Sequence, residues 1–238
     1  MRVRHFGGIV ISDVTQGLPR VEELFETRNP KVVSPITEIA GKVTVTEDTE
    51  RDMFIVKVKS TTNEEDVQEF SVPNTQKLKV QDGDLIGAGT QISEGYLNIH
   101  DVLSVKGLHY AQLYLLNEIQ SVYESQGIGI HDKHFEVIIR KMSDKVIIED
   151  EGDTNFTKNE VVSRVRFNEE NKKTLAIGGK PAVGKVNIFG ITRAAIYTES
   201  WLSAASFEQT TNVLSKAAIK GDIDYLLGLK ENVIIGRL

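Results

Sequence analysis

The sequence predicts an α+β protein, with a compact all-β module followed by a mostly α-helical region. Two observations carry this. From Ile36 to about Gly95 apolar residues recur with a period of two. From Asn98 onward the period lengthens to three and four, the spacing of helices with one buried face. A third feature stands apart. The stretch from Phe189 to Leu238 joins a high density of small and hydroxyl side chains to an apolar tail, and such a tail calls for a covering surface.

Residues 1–17 are Gly-rich and irregular. A short helix follows, with Pro19 suited to its first turn and Leu18, Val21, Leu24 and Phe25 marking one apolar side, and Asn29-Pro30 ends it. In the β module Ile39, Gly41, Val43 and Val45 alternate with Ala40, Lys42 and Thr44. Phe54, Val56 and Val58 alternate with Ile55, Lys57 and Lys59. Short strands are expected at Phe70 to Val72 and Leu78 to Val80, then a turn at Gln81-Asp82-Gly83-Asp84, then Leu85-Ile86. Leu108, Ala111, Leu115, Ile119 and Val122 form one helical stripe ending near Gly127, and a second helix starts after Asp132 with Phe135, Ile138, Ile139 and Met142 inward. Lys145 to Glu149 is expected to be a strand. Residues 150–185 are polar and weakly patterned, a loop-rich insertion with one helix near Val161 to Phe167. Ser206-Phe207-Glu208-Gln209 fits a capping box, ahead of a helix with Val213, Leu214, Ala217 and Ala218 as its buried stripe. Gly221 stops that helix and Asp222 caps the next short one.

Composition narrows the function. The net charge of −6 argues against a protein that coats DNA regardless of sequence. The charge is uneven: residues 35–100 hold 6 Lys and Arg against 12 Asp and Glu, whereas residues 181–238 hold 6 against 5, leaving the end of the chain free to approach a polyanion. The absence of Cys removes disulfides and thiolate metal sites. Purely apolar runs are as short as Val146-Ile147-Ile148, so no segment is expected to span a membrane and none resembles a signal peptide.

No complete catalytic constellation emerges from spacing. His131 and His134 share a helical spacing but lack a third ligand, and structural or solvated histidines are the expectation. Glu64-Glu65-Asp66 is a solvated charge run in a loop. Gly83, Gly87 and Gly89 are β-turn glycines without the Gly-Lys-Ser/Thr end of a phosphate-binding loop. No Ser, Thr or Lys lies in a nucleophile motif.

Longer motifs say more. Gly190-Ile191-Thr192-Arg193, Thr198-Glu199-Ser200, Ser203-Ala204-Ala205-Ser206-Phe207 and Gly228 through Leu238 follow one another in a fixed order. Asp13 to Val21, Val122-Tyr123 to Gln126-Gly127, and Asp132 to Ile138 precede them. Together they resemble the C-terminal part of the largest catalytic subunit, β′, of bacterial DNA-directed RNA polymerase, over nearly the whole chain.

The resemblance implies a role in transcription, as part of a cytoplasmic bacterial nucleotidyltransferase. It implies four regions: 1–34, a trigger-loop remnant and connecting helix; 35–97, a barrel-sandwich-like jaw; 98–188, a helical cleft region; and 189–238, the switch segment and clamp-base helices. Arg193 takes the place of the basic residue that faces the nucleic-acid backbone, and Arg in place of the usual Lys adds a fork suited to phosphate. Thr192, Ser200 and Arg20 join it as candidate DNA contacts. Met1-Arg2-Val3-Arg4-His5 is similar to the second half of the trigger loop, which makes His5 and Arg2 the catalytic candidates near the incoming triphosphate; Val3-Arg4 departs from the family's Thr-Phe.

The implied partners are the remainder of β′, the β, alpha and omega subunits, sigma and other regulators, and template and downstream DNA, with no membrane. The metal-binding Asp-x-Asp-x-Asp loop and the zinc-binding cysteines of that subunit are not in this sequence. The expectation is therefore a fragment, or one product of a split gene, inactive alone, with no cofactor of its own and Mg acting in the complete enzyme. Its last residue, Leu238, precedes the tail that meets omega. A second reading takes the β module as a biotinyl- or lipoyl-carrier hairpin domain with Lys42 as the modified residue. That reading requires Lys42 at a hairpin tip, and the alternation places it within a strand.

Overall fold

The computed structural model describes residues 17–48, 52–61 and 66–237. Helices and antiparallel sheets divide between two compact units, Met1–Ile130 and His131–Leu238.

The first unit opens with α1 (Leu18–Phe25), Pro in its first turn, and Val21 and Leu24 buried as the expected apolar side. Then comes a four-stranded antiparallel sheet in the order β3-β2-β1-β4, built from β1 (Gly41–Asp48), β2 (Met53–Ser60), β3 (Val67–Pro73) and β4 (Leu85–Ile86). The alternation in the sequence sets its faces. Val43, Val56, Val58 and Val72 turn inward and form a core with Val80 and Ile92, while Lys42, Lys57 and Lys59 turn out. Gly41 is required by a close approach, since a Cβ there would collide with the backbone carbonyl oxygen of Lys59. The turn at 81–84 forms as expected, with Gly83 at φ 88° and Asp84 Oδ2 accepting from the Gln81 N–H at 2.8 Å.

The chain enters and leaves this module side by side. Val33 bridges Tyr96 in parallel, Ile36 bridges Gln91, and the buried Ser34 hydroxyl donates to the Ser93 carbonyl at 2.7 Å. The helical region that follows contains a break. Asn98 caps α2 (Ile99–Lys106) by accepting from the His100 N–H at 3.1 Å, and Gly107, at φ 83°, ends it before α3 (Leu108–Ser125) begins. Ala111, Leu115 and Ile119 are wholly buried on α3.

The second unit starts with α4 (Asp132–Met142), burying Phe135, Ile139 and Met142, while Ile138 is exposed. A three-stranded antiparallel sheet follows, ordered β6-β5-β7, from β5 (Lys145–Asp150), β6 (Val161–Ser163) and β7 (Val183–Asn187). The region expected to be loop-rich is therefore ordered around a small core of Val146, Ile148, Phe156, Val162 and Ala182. The helix expected over Val161 to Phe167 begins later. Val161 to Ser163 pair with β5, and Ser163 then caps α5 (Arg164–Ala176), its hydroxyl accepting from the Arg166 N–H at 3.4 Å.

Four short helices complete the unit: α6 (Ile191–Ile196), α7 (Trp201–Ala205), α8 (Thr210–Lys220) and α9 (Leu229–Ile234). The expected capping box at Ser206 does not form. The Ser206 hydroxyl donates to the Ser203 carbonyl at 2.7 Å, Glu208 occupies a left-handed turn at φ 52°, and α8 starts after Gln209 without a side-chain cap. Gly221, at φ 66°, does stop α8, but Asp222 caps no helix, because α9 begins at Leu229 with Gly228 as its N-cap. Of the expected stripe on α8 only Ala217 is buried. Among the described residues no helix is long and apolar enough to cross a membrane.

Candidate nucleic-acid interface

The segment from Phe189 to Ser206 is anchored at both ends, and the exposed arginine lies between the anchors. Upstream, Phe189 is buried, its N–H donates to the Met142 carbonyl at the end of α4 (2.9 Å), and its ring lies 5.4 Å from that of Tyr197. Gly190 starts α6 through the bond from the Ala194 N–H to its carbonyl (2.8 Å), and the Tyr197 N–H closes the helix on Arg193 (3.0 Å). Arg193 is exposed on this short helix. Among the described residues no carboxylate lies within ion-pair distance of its guanidinium. Thr192, its neighbour, is half-buried and engaged within the fold.

Downstream, Thr198-Glu199-Ser200 forms a two-sided clasp. Glu199 accepts from the Ser163 hydroxyl at 2.7 Å, tying the segment to the start of α5. Ser200 caps α7 by accepting from the Ser203 N–H (3.1 Å) and donates its hydroxyl to Asp224 at 2.6 Å. Asp224 also accepts from the N–H groups of Leu202 and Leu226, each at 3.0 Å. Burial works against its charge, but the hydroxyl of Ser200 and the two backbone N–H groups outweigh it and hold Asp224 below the ordinary carboxylate range. Lys145, buried at the start of β5, is pulled below the ordinary lysine range by burial, against the opposing pull of Asp144 at 3.8 Å and of Glu199.

The candidates named from sequence are thus unequally placed. Arg193, Thr192 and Ser200 lie together, although Ser200 is occupied in capping α7 and holding Asp224. Arg20 belongs to the other unit and is 2% exposed. Its guanidinium bonds Glu23 (2.9 Å) and Glu118 (3.3 Å) and stacks 3.7 Å from the centre of the Tyr96 ring, joining α1, α3 and the exit of the β module. That leaves it no face for a phosphate. Arg2 and His5 lie outside the described residues.

His131 caps α4 through Nδ1, which accepts from the Lys133 N–H at 3.2 Å, and His134 is exposed. Among the described residues no group of three or more His, Asp or Glu is placed to hold a metal ion. Lys42 lies inside β1, opposite Lys59 and Leu85, and not at a hairpin tip, so the carrier-domain reading falls. Sequence reasoning missed Asp224 and Ser163 as supports of the segment. The only local signal was the pair of aspartates in Gly221-Asp222-Ile223-Asp224, and the pattern favoured the one next to the glycine.

The family description "RNA polymerase Rpb1, domain 5" matches residues 1–196. The chain is 52% identical over 238 residues to a DNA-directed RNA polymerase subunit beta' of Caldicellulosiruptor saccharolyticus. It is 52% identical over 240 residues to that of a Thermoanaerobacter species and 50% identical over 238 to that of Clostridium botulinum. Each match covers 100% of this chain and 20% of the relative, so the chain spans about a fifth of the length of these relatives, in their C-terminal part. The chain belongs to the family of RNA polymerase Rpb1, domain 5.

Proposed function

We propose that this chain acts in transcription as a C-terminal part of the β′ subunit of a bacterial DNA-directed RNA polymerase, and that its share of the work is the handling of nucleic acid. In this reading the β module is the jaw beside downstream duplex. The segment from Phe189 to Ser206 is a hinge that answers to DNA in the cleft. The rest of β′, the β, alpha and omega subunits and sigma are the partners, and Mg acts at ligands outside the described residues. Arg2 and His5 remain the candidates for contact with the incoming nucleotide.

The observation that carries the proposal is an exposed guanidinium on a fixed mount. Arg193 sits on α6 between the Phe189 anchor and the Glu199–Ser200 clasp, so its backbone is already placed and only the side chain has to order on binding. Glu199, the carboxylate of the segment, accepts from the Ser163 hydroxyl and forms no ion pair with Arg193. A planar fork of N–H donors suits two phosphate oxygens, and such a contact positions the backbone without reading sequence.

The test is Arg193→Ala in the assembled polymerase, with promoter-complex lifetime followed over a salt series. The lifetime should shorten at low salt, and the log–log salt slope should fall by about one, the signature of one lost phosphate contact. A variant with unchanged lifetime and slope would remove Arg193 from the interface.

A further inference from the structure

One peptide bond of this chain stands out chemically. Asp82 is the only Asp or Asn in the sequence that is followed by Gly. Glycine has no Cβ, so its amide nitrogen can reach the carboxyl carbon of the preceding side chain without steric hindrance. The pair lies in the exposed turn at 81–84, and a Cβ placed on Gly83 would meet nothing within 4 Å, so water has free access to it.

The fold ties both reacting groups to β1. The Gly83 N–H donates to the Val43 carbonyl (2.9 Å), and Asp82 Oδ1 accepts from the Val45 N–H (3.0 Å). The turn is closed on itself by the Asp84 N–H on the Gln81 carbonyl (3.2 Å) and by the Gln81 N–H on Asp84 Oδ2 (2.8 Å). The Val43 N–H donates to the Asp84 carbonyl (2.9 Å), which leads into the pairing of β1 with β4. Attack requires the Gly83 nitrogen to give up its proton and the Asp82 carboxyl to swing onto that nitrogen. The bond to Val43 opposes the first move, and the bond from Val45 opposes the second.

We infer that Asp82–Gly83 is a spontaneous modification site at which this chain forms isoaspartate, and that the bonds to β1 are its lock. When the turn opens, the Gly83 nitrogen attacks Asp82 Cγ. A C–N bond forms, and one carboxyl oxygen leaves as water, carrying the amide proton and a proton from solvent. The product is a five-membered succinimide. Water then breaks the bond between the Asp82 carbonyl carbon and the Gly83 nitrogen, releasing one proton. The main chain now runs through Cγ and is one carbon longer, the former carbonyl carbon has become a free carboxylate, and the mass is unchanged. The lengthened turn no longer matches the spacing of Val43 and Val45, so the damaged lock does not close again on β1. This site is separate from Arg193, and the inference stands whether or not that residue meets DNA.

The experiment ages the full chain at neutral pH beside a blocked peptide of residues 79–86. Isoaspartate is located by electron-transfer fragmentation and confirmed by methyl acceptance with protein isoaspartyl methyltransferase. It should form at Asp82 ahead of every other Asp, and at least about tenfold more slowly than in the peptide. Asp84→Ala removes the acceptor of the Gln81 N–H and leaves the reacting atoms in place. Relative to a peptide with the same change, it should speed the reaction about fivefold, with exchange of the Gly83 amide rising by the same factor. Asp84→Asn keeps an acceptor oxygen and should stay near the parent, which separates loosening of the turn from loss of charge. If Asp84→Ala fails to fold, urea below the unfolding transition should speed the parent in step with Gly83 exchange and leave the peptide unchanged. A folded chain that reacts as fast as the peptide, or a rate that does not follow Gly83 exchange, would overturn the lock. Earlier isoaspartate at another Asp would overturn the site.

Discussion

Asp224→Ala should open the clasp that holds the Arg193 segment. The carboxylate accepts three hydrogen bonds, at 2.6 Å from Ser200 and at 3.0 Å from both Leu202 and Leu226. Bonds to a charged acceptor contribute about 1.5–3 kcal/mol each when buried. The site is only partly buried, and the Ser200 hydroxyl can turn to water, so a total of about 2–4 kcal/mol is expected. Asp224→Asn keeps an acceptor oxygen and loses the charge, and should cost about half as much. Ser200→Ala loses one of the three bonds together with the cap of α7, about 1–2 kcal/mol. Because the two residues share one bond, the double variant should cost less than the sum, by about 1 kcal/mol.

The readout is built in: the single Trp of the chain, Trp201, follows Ser200 directly, so its fluorescence reports the urea transition of this region. The pH dependence has a definite sign. A carboxylate whose folded pKa lies below its unfolded value stabilises above the unfolded value and loses that contribution as pH falls through the folded one. Asp224 should therefore add nothing to the pH dependence between 7 and 5 and begin to matter only below about 4. If Asp224→Ala unfolds within about 0.5 kcal/mol of the parent, or is rescued by acid before the parent begins to unfold, the clasp is not what holds the segment.

Two further outcomes test the first unit. Arg20→Met leaves the carboxylate of Glu23, largely buried, without its cation, and should cost about 3 kcal/mol by urea unfolding followed with circular dichroism; adding Glu23→Gln should recover much of it. Tyr114, whose hydroxyl accepts from the Leu97 N–H at 3.1 Å, has its pKa pushed up to about 12, by burial first and then by the charge of Glu118. The folded state thus keeps its proton where the unfolded chain loses it. Stability should fall as pH rises between about 10 and 12, an effect that Tyr114→Phe abolishes, and one of the 6 tyrosines should ionise last in an ultraviolet titration.

What was legible in the sequence was what local chemistry decides. Val43, Val56 and Val58 declared their face by alternating with lysines, because a sheet with one wet side leaves that mark. Ala111, Leu115 and Ile119 did the same for α3. What escaped was set by partners far along the chain. Glu118 lies 98 residues from Arg20, Glu199 lies 36 from Ser163, and Asp224 lies 24 from Ser200. An arginine near a helix start looks alike in sequence whether it meets solvent, DNA or a buried carboxylate. The capping pattern at Ser206 failed for a related reason. A serine hydroxyl has competing local acceptors, and the Ser203 carbonyl at the end of α7 lay closer to hand than a helix not yet begun.

The bridge between Val33 and Tyr96 makes the β module a cassette. Everything from Ser34 to Gly95 departs from and returns to a single point, held shut by the buried Ser34–Ser93 bond and by Arg20 pressed on Tyr96. A change of length within that stretch leaves the span between Val33 and Tyr96 the same, provided the Ser34–Ser93 bond is kept. A short glycine–serine link from Val33 to Tyr96 would leave α1 and α3 packed as they are.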